Sequence, residues 1–130
     1  MLNIYIHIKD TIVVSGDSAT IRMISFDGHC ESQYFTGRIL PGGIDTQRVL
    51  KDGTTFLSAR YCMEGVDMEG QNCRIFIDNT GVFYKKEDHT TVPKIYTDSV
   101  ALKWMEDASL VGSVDDDNGK LVIRIRQNER

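Results

Sequence analysis

Alternation of apolar and polar residues with period two runs through both ends of this chain and much of its middle. No other feature constrains the fold so tightly. Leu2, Ile4, Ile6 and Ile8 fall on one face of an extended segment, with Asn3, Tyr5 and His7 on the other. At the far end Leu121, Ile123 and Ile125 alternate with Val122, Arg124 and Arg126. Successive side chains of a strand point to opposite faces, so both segments read as half-buried antiparallel strands. Further β-like runs cover Ile12 to Ser15, Ala19 to Phe26, Ser32 to Leu40, Thr55 to Glu64, Asn72 to Asn79 and Leu110 to Val114.

Turn chemistry separates nearly every pair of runs. Gly16-Asp17-Ser18, Asp27-Gly28, Pro41-Gly42-Gly43, Lys51-Asp52-Gly53, Asp67 to Gly70 and Asn118-Gly119 supply residues that accept positive φ or pre-set a turn. Short strands with turns about every ten residues indicate an up-and-down barrel or a sandwich. Closure removes exposed strand edges and lets the two chain ends pair. The expected fold is therefore all-β: a single antiparallel β-barrel domain over residues 1–130, with about eight to ten strands. One segment breaks the rhythm. Val100, Ala101, Trp104 and Met105 follow the cap residues Thr97 to Ser99 at helical spacing, predicting one short helix near residues 98–106. The polar stretch from Lys85 to Pro93 is unpatterned and reads as an exposed loop.

With 41% hydrophobic and 26% charged residues, the 130-residue chain has ordinary globular composition and enough length to bury a core without staples. A net charge of −4, with basic residues scattered singly, argues against nucleic-acid partners, which need a concentrated basic stripe. No apolar run approaches the roughly 20 residues of a membrane span, and Met1 to Lys9 reads as a first strand, not a signal peptide. Cys30, Cys62 and Cys73 are odd in number and fit no zinc spacing, which suggests reduced thiols in a cytoplasmic protein. The motifs imply no cofactor and no metal. His7, His29 and His89 are too far apart in sequence to suggest shared ligation, and Asp115-Asp-Asp-Asn-Gly119 fits a hairpin turn better than a calcium loop.

Candidate chemistry concentrates between Gly37 and Tyr61, where two acids, an amide and three arginines accompany the turn glycines. Asp45 and Gln47 follow the Pro-Gly-Gly turn where a strand resumes. Asp45 has two readings: a proton-transfer or ligand-accepting group, or a cap for the turn's own amides. In the run Phe56 to Glu64 both faces are partly apolar, as expected where one packs on neighbours and the other lines a cavity. If Arg60 points inward it must meet a carboxylate, for which Asp45, Glu64 and Asp78 are available; otherwise it is a structural bridge or faces water. Asn79-Thr-Gly81 reads as a turn.

The blocks Thr36-Gly-Arg-Ile-Leu-Pro-Gly-Gly-Ile-Asp-Thr-Gln, Leu57-Ser-Ala-Arg-Tyr, Glu64-Gly-Val-Asp and Ile75-Phe-Ile-Asp-Asn-Thr-Gly, then Lys103-Trp-Met, occur in an order that resembles the domain of unknown function 3237 family. The resemblance implies a compact, self-associating β-barrel with no settled biochemical role. Many members carry Trp after the Asp and Asp before the Ala-Arg-Tyr, where this chain has Thr46 and Ser58. Three functions follow as expectations. The first is a barrel binding a small, mostly apolar organic ligand through Asp45, Gln47 and Arg60, with Tyr61 or Trp104 as an aromatic wall. The second is a cofactor-free isomerase, cyclase or lyase using an Asp–Arg pair. The third is a non-catalytic module that forms homo-oligomers.

Overall fold

The alternating segments pair into one antiparallel sheet that closes on itself. The computed structural model describes residues 1–128, which contain nine strands and one short helix. The strands are β1 (Leu2–Ser15), β2 (Ala19–Glu31), β3 (Phe35–Ile39), β4 (Ile44–Leu50), β5 (Thr55–Asp67), β6 (Asn72–Phe83), β7 (Thr90–Thr97), β8 (Leu110–Asp117) and β9 (Lys120–Gln127). The helix, α1, spans Trp104–Asp107. Around the ring β1 pairs with β9, then β8, β7, β6 and β5 follow in turn. Both β3 and β4 bridge β5 to β2, and β2 pairs with β1 to complete the circle. Since β3 and β4 lie end to end in one position, nine strands build an eight-membered antiparallel barrel, as the alternation predicts.

The break between β3 and β4 decides what faces inward. Ile39 pairs with Met63 and Ile44 with Arg60, so Leu40 to Gly43 add two residues more than the facing part of β5. An even insertion preserves the in–out alternation, whereas a single-residue bulge would reverse every side chain of β4. Ile39 and Asp45 therefore share the interior face. In β1 the insertion is odd: Ile8 pairs with Phe26 and Asp10 with Ser25, leaving Lys9 extra. Beyond it the outer face carries Ile12 and Val14.

One half of the barrel is filled by side chains. Ile4, Phe35, Met63, Ile75, Ile95 and Ile125 are almost fully buried there, joined by Leu102 and Met105 from α1 and the turn before it. Two strands depart from the sequence reading. β4 lies outside the apolar runs because its inner positions are Asp45, Gln47 and Val49. β7 begins within the segment read as a loop. Its buried positions are Thr91, Pro93 and Ile95, a poor apolar signal, and Pro93 is tolerated because β8 pairs only with Thr90 and Thr91.

The helix is shorter than the predicted 98–106. Leu102, Lys103, Met105 and Glu106 each donate a backbone hydrogen bond to the residue three before, so tight turns lead into one α-helical turn. Val100 is 84% exposed and stays outside the core, whereas Met105 of the same stripe and Leu102 enter it. Asn79 is not in a turn: β6 runs on through Gly81 to Phe83. The β8–β9 hairpin turns at Asn118 and Gly119, both with positive φ, as expected of an Asn-Gly pair. Among the described residues no helix is long and apolar enough to cross a membrane.

Candidate functional site

The other half of the barrel encloses a cavity of about 230 Å³. Its walls are aliphatic and aromatic: Ile6 and Ile8 of β1, Ile24 and Phe26 of β2, Leu57 of β5, Phe83 of β6, and residues of the β8–β9 hairpin. Phe26 meets Tyr61 edge-on at 5.3 Å between ring centroids and separates the hollow half from the packed half. The polar groups in this lining are Asp45, Gln47, Tyr61 and Asn79.

Their grouping follows from register. Asp45 pairs with Ala59, and Ala59 pairs with Asn79 across the next strand boundary. Residues directly opposite on one face lie about 5 Å apart at Cβ, so the Ala59 methyl is the only side chain between the two polar ones in that row. Tyr61 lies on the same face of β5, two residues further along. Ala59 thus leaves space that a larger side chain would fill.

Gln47 Nε2 donates to Asp45 Oδ2 at 3.0 Å. Asp45 Oδ1, the Tyr61 hydroxyl and Asn79 Oδ1 are buried and have no hydrogen-bond partner among the described residues. Tyr61 is 3% exposed and Asn79 2%. Polar groups withdrawn from water almost always find a partner, so three without one around a single cavity are exceptional. Burial raises the Asp45 carboxyl above its ordinary pKa, only partly offset by the Gln47 hydrogen bond, and burial raises the Tyr61 phenol well above its usual range. The arrangement offers a carboxyl that holds its proton more tightly than an ordinary aspartate, a neutral phenol and an amide carbonyl.

Of the five residues singled out from sequence, the structure brings Asp45, Gln47 and Tyr61 to the cavity wall. Arg60 is not there. Alternation sends it to the outer face of β5, 66% exposed at the side chain, with Nε 3.9 Å from Asp78 Oδ1. The reading of Arg60 as an inward guanidinium is corrected. Its inward neighbours Ala59 and Tyr61 occupy the interior face, and an outward arginine avoids the cost of burying a charge. Trp104 is also elsewhere. It lies on α1 and packs edge-on against Tyr34 at 5.6 Å, so it forms no wall of this cavity. Asn79 was missed because Asn-Thr-Gly carries a turn signal; the Ile75, Ile77, Asn79 alternation on one face was the available clue. Thr46 and Ser58, the positions that differ from the family pattern, are direct cross-strand partners on the outer face of the barrel.

Among the described residues there is no group of three or more His, Cys, Asp or Glu side chains placed to hold a metal ion. His29 instead stacks on Tyr5 and contacts Glu31. All three cysteines are free thiols, and burial pushes that of Cys30 up to about 11.

This fold is shared with solved structures. A protein of unknown function from Clostridium acetobutylicum superposes with a TM-score of 0.78 at 26% identity, covering 95% of this chain and 91% of that one. A conserved protein of unknown function from Rhodopseudomonas palustris superposes equally well, TM-score 0.78, at 20% identity over 97% and 93%. An enzyme from Penicillium herquei shares the fold with a TM-score of 0.72 and 14% identity over 97% and 91%. In sequence, a UPF0311 protein of Clostridium acetobutylicum is 38% identical over 92 residues, which make up 71% of this chain and 49% of that protein. The chain thus spans about half the length of that curated relative. Residues 1–92 match the family model described as protein of unknown function (DUF3237), and the chain belongs to that family.

Proposed function

We propose that this protein binds a small, mostly apolar organic molecule in the half-hollow barrel. The observation that carries this reading is the set of three buried, unpartnered oxygens, on Asp45, Tyr61 and Asn79, around one otherwise apolar cavity. Leaving a buried polar group unsatisfied costs about 1–3 kcal/mol, so a ligand completing these hydrogen bonds regains that energy on binding. The Tyr61 phenol donates, the Asn79 carbonyl oxygen accepts, and Asp45 does either according to its protonation. A ligand carrying a carbonyl or hydroxyl beside another hydrogen-bonding group matches that set. The volume sets its size. Benzene fits an engineered cavity of roughly 150 Å³, and drug-sized ligands occupy roughly 300–1,000 Å³. At about 230 Å³ the cavity suits a substituted single ring or a compact branched chain.

Native mass spectrometry of protein purified from its own host tests this directly, together with isothermal titration of small phenols and cyclic ketones. Retention of a small molecule by the wild type, lost on Ala59→Leu, is the expected outcome. An identical spectrum for both proteins, with no heat from any probe, sinks the reading.

A second reading rests on one further observation, the elevated pKa of Asp45 beside the neutral Tyr61 phenol. A carboxyl so tuned can pass a proton to or from a bound molecule, the requirement of a cofactor-free isomerase, cyclase or lyase. The expected Asp–Arg pair is replaced in this reading by Asp45 with Tyr61, because Arg60 lies outside. The Penicillium herquei fold relative is described as an enzyme, a likeness of fold alone. Proton exchange into a bound ketone, followed by NMR and abolished in Asp45→Asn, distinguishes catalysis from simple binding.

A further inference from the structure

The cavity has a mouth, and the interior face of β2 leads to it. Exposure rises at each two-residue step along that face: Phe26 is 6% exposed, Ile24 is half-buried and Arg22 is exposed. On the adjoining strand, Ile8 lines the cavity yet is 49% exposed. Among the described residues β1 has no β9 partner beyond Ile6, so the wall is incomplete there. The cavity therefore opens on the side of β1 and β2.

Register fixes where Arg22 stands. Ile24 pairs with Asp45 and Arg22 with Gln47, and the pairing of β2 with β4 is uninterrupted, so all four belong to the interior face. Ile24, Asp45 and Gln47 line the cavity, and Arg22 lies one two-residue step, about 7 Å, beyond Ile24. Arginines on the outer face of the barrel are already engaged. Arg60 faces Asp78, Arg124 faces Asp115, and Arg48 lies over the Phe56 ring at 4.3 Å. Among the described residues Arg22 has no such partner. Asp116 shares the face of Leu121 across the mouth, but its Oδ1 accepts from the Gly119 amide of its own hairpin.

We propose that Arg22 binds a carboxylate at this mouth, and that the ligand is a compact ring bearing a short side chain that ends in that carboxylate. The proposal rests on the cavity-binding reading above and names the class of molecule bound. No lysine, arginine or histidine lines the cavity itself, so an acidic ligand meets its counter-charge at the mouth. The planar guanidinium matches a carboxylate with two parallel hydrogen bonds, and both charges stay in contact with water, which avoids the cost of burying them. The ring lies inside beside Ala59 and Ile24, with its own polar substituent toward Tyr61 and Asn79. A tether of one or two methylenes spans the step from Ile24 to Arg22.

Isothermal titration of the full chain with benzoate, phenylacetate and 3-phenylpropionate, each beside its neutral primary amide, tests the assignment. The wild type should bind 3-phenylpropionate about tenfold tighter than its amide at low ionic strength, with the gap narrowing as salt is added. Benzoate, whose carboxylate has no tether, should show no such preference. Arg22→Gln should make acid and amide equal. Arg48→Gln removes the same charge from the outer face and should leave the gap intact. Thermal unfolding by circular dichroism verifies that each variant is folded. Ala59→Leu should abolish binding of acid and amide alike; acid binding that persists there is confined to the surface and overturns the proposal. Equal affinities in the wild type, a preference that survives Arg22→Gln, or one lost in Arg48→Gln also overturn it. Those results leave the cavity reading standing, because the amides still report occupancy. Heat from none of the probes overturns both.

Discussion

Asp45 and Asn79 face the interior from strands on either side of β5, with the methyl group of Ala59 between them and one oxygen of each lacking a partner among the described residues. This row is the polar side of the cavity, and it exists because a small residue occupies its centre. Ala59→Leu places an isobutyl group into that space. Cavity filling commonly adds about 0.5–2 kcal/mol to stability, so urea denaturation should show a protein as stable as the wild type or more so. Small-molecule binding should be lost in the same variant.

The Asp45 carboxyl should make stability depend on pH in the direction opposite to most carboxylates. Its folded pKa lies above the unfolded value because burial penalises the charged form. The folded state therefore holds the proton more tightly, and ionisation costs stability as pH rises from the unfolded pKa through the folded one. Asp45→Asn removes that cost while keeping an oxygen for Gln47. Stability should therefore rise at neutral pH. The advantage over wild type should shrink as pH falls below the raised pKa of Asp45, as read by denaturant titrations across the range.

Tyr61 separates packing from hydrogen bonding. Its hydroxyl has no partner while its ring packs against Phe26. Tyr61→Phe should change stability by less than about 1 kcal/mol, in the stabilising direction, while weakening any ligand that accepts from the phenol. Tyr61→Ala should cost about 3–5 kcal/mol by opening the floor of the cavity into the core. Chemical denaturation of the two variants reads the contrast.

Asp67 supplies the ordinary acid sensitivity. Its Oδ2 accepts from the Ser99 hydroxyl at 2.7 Å and its Oδ1 from the amides of Glu69 and Gln71, tying the β5–β6 turn to the segment before α1. These bonds, Ser99 first, hold its pKa below that of an ordinary aspartate. The stability so gained is present above the unfolded pKa and is lost as pH falls through the folded one. Ser99→Ala should lower Tm at neutral pH, and the difference from wild type should narrow in strong acid.

Arg60 provides the external control. Its contact with Asp78 is long and its guanidinium side chain is largely exposed, so Arg60→Ala should alter stability by no more than about 0.5 kcal/mol and leave cavity binding intact. A loss of binding in this variant, measured by titration against the wild type, would restore the arginine to the site.

The barrel, most of its turns and the two-faced alternation of β5 were legible in the chain because period-two alternation and turn glycines are local signals, although Asp27-Gly28 lies within β2 and not in a turn. Leu57, Ala59 and Tyr61 declare one face of a strand whatever lies beyond it. Which face looks into the barrel was not local, and the mixed run around Arg60 was compatible with either side. Pairing with β4 and β6 settled it, sending Arg60 to water and Tyr61 inward. Asn79 stayed hidden because a turn and a strand interior use the same residue types, and only the continuation of β6 to Phe83 told them apart. The sequence by itself determined that strands of this spacing close into an all-β barrel, since each strand must bury one face and satisfy its edges. Only the tertiary structure decided that one half is packed and the other hollow. That outcome depends on a two-residue insertion before β4 and on a methyl group flanked by two polar side chains, relationships that exist between strands and not along them.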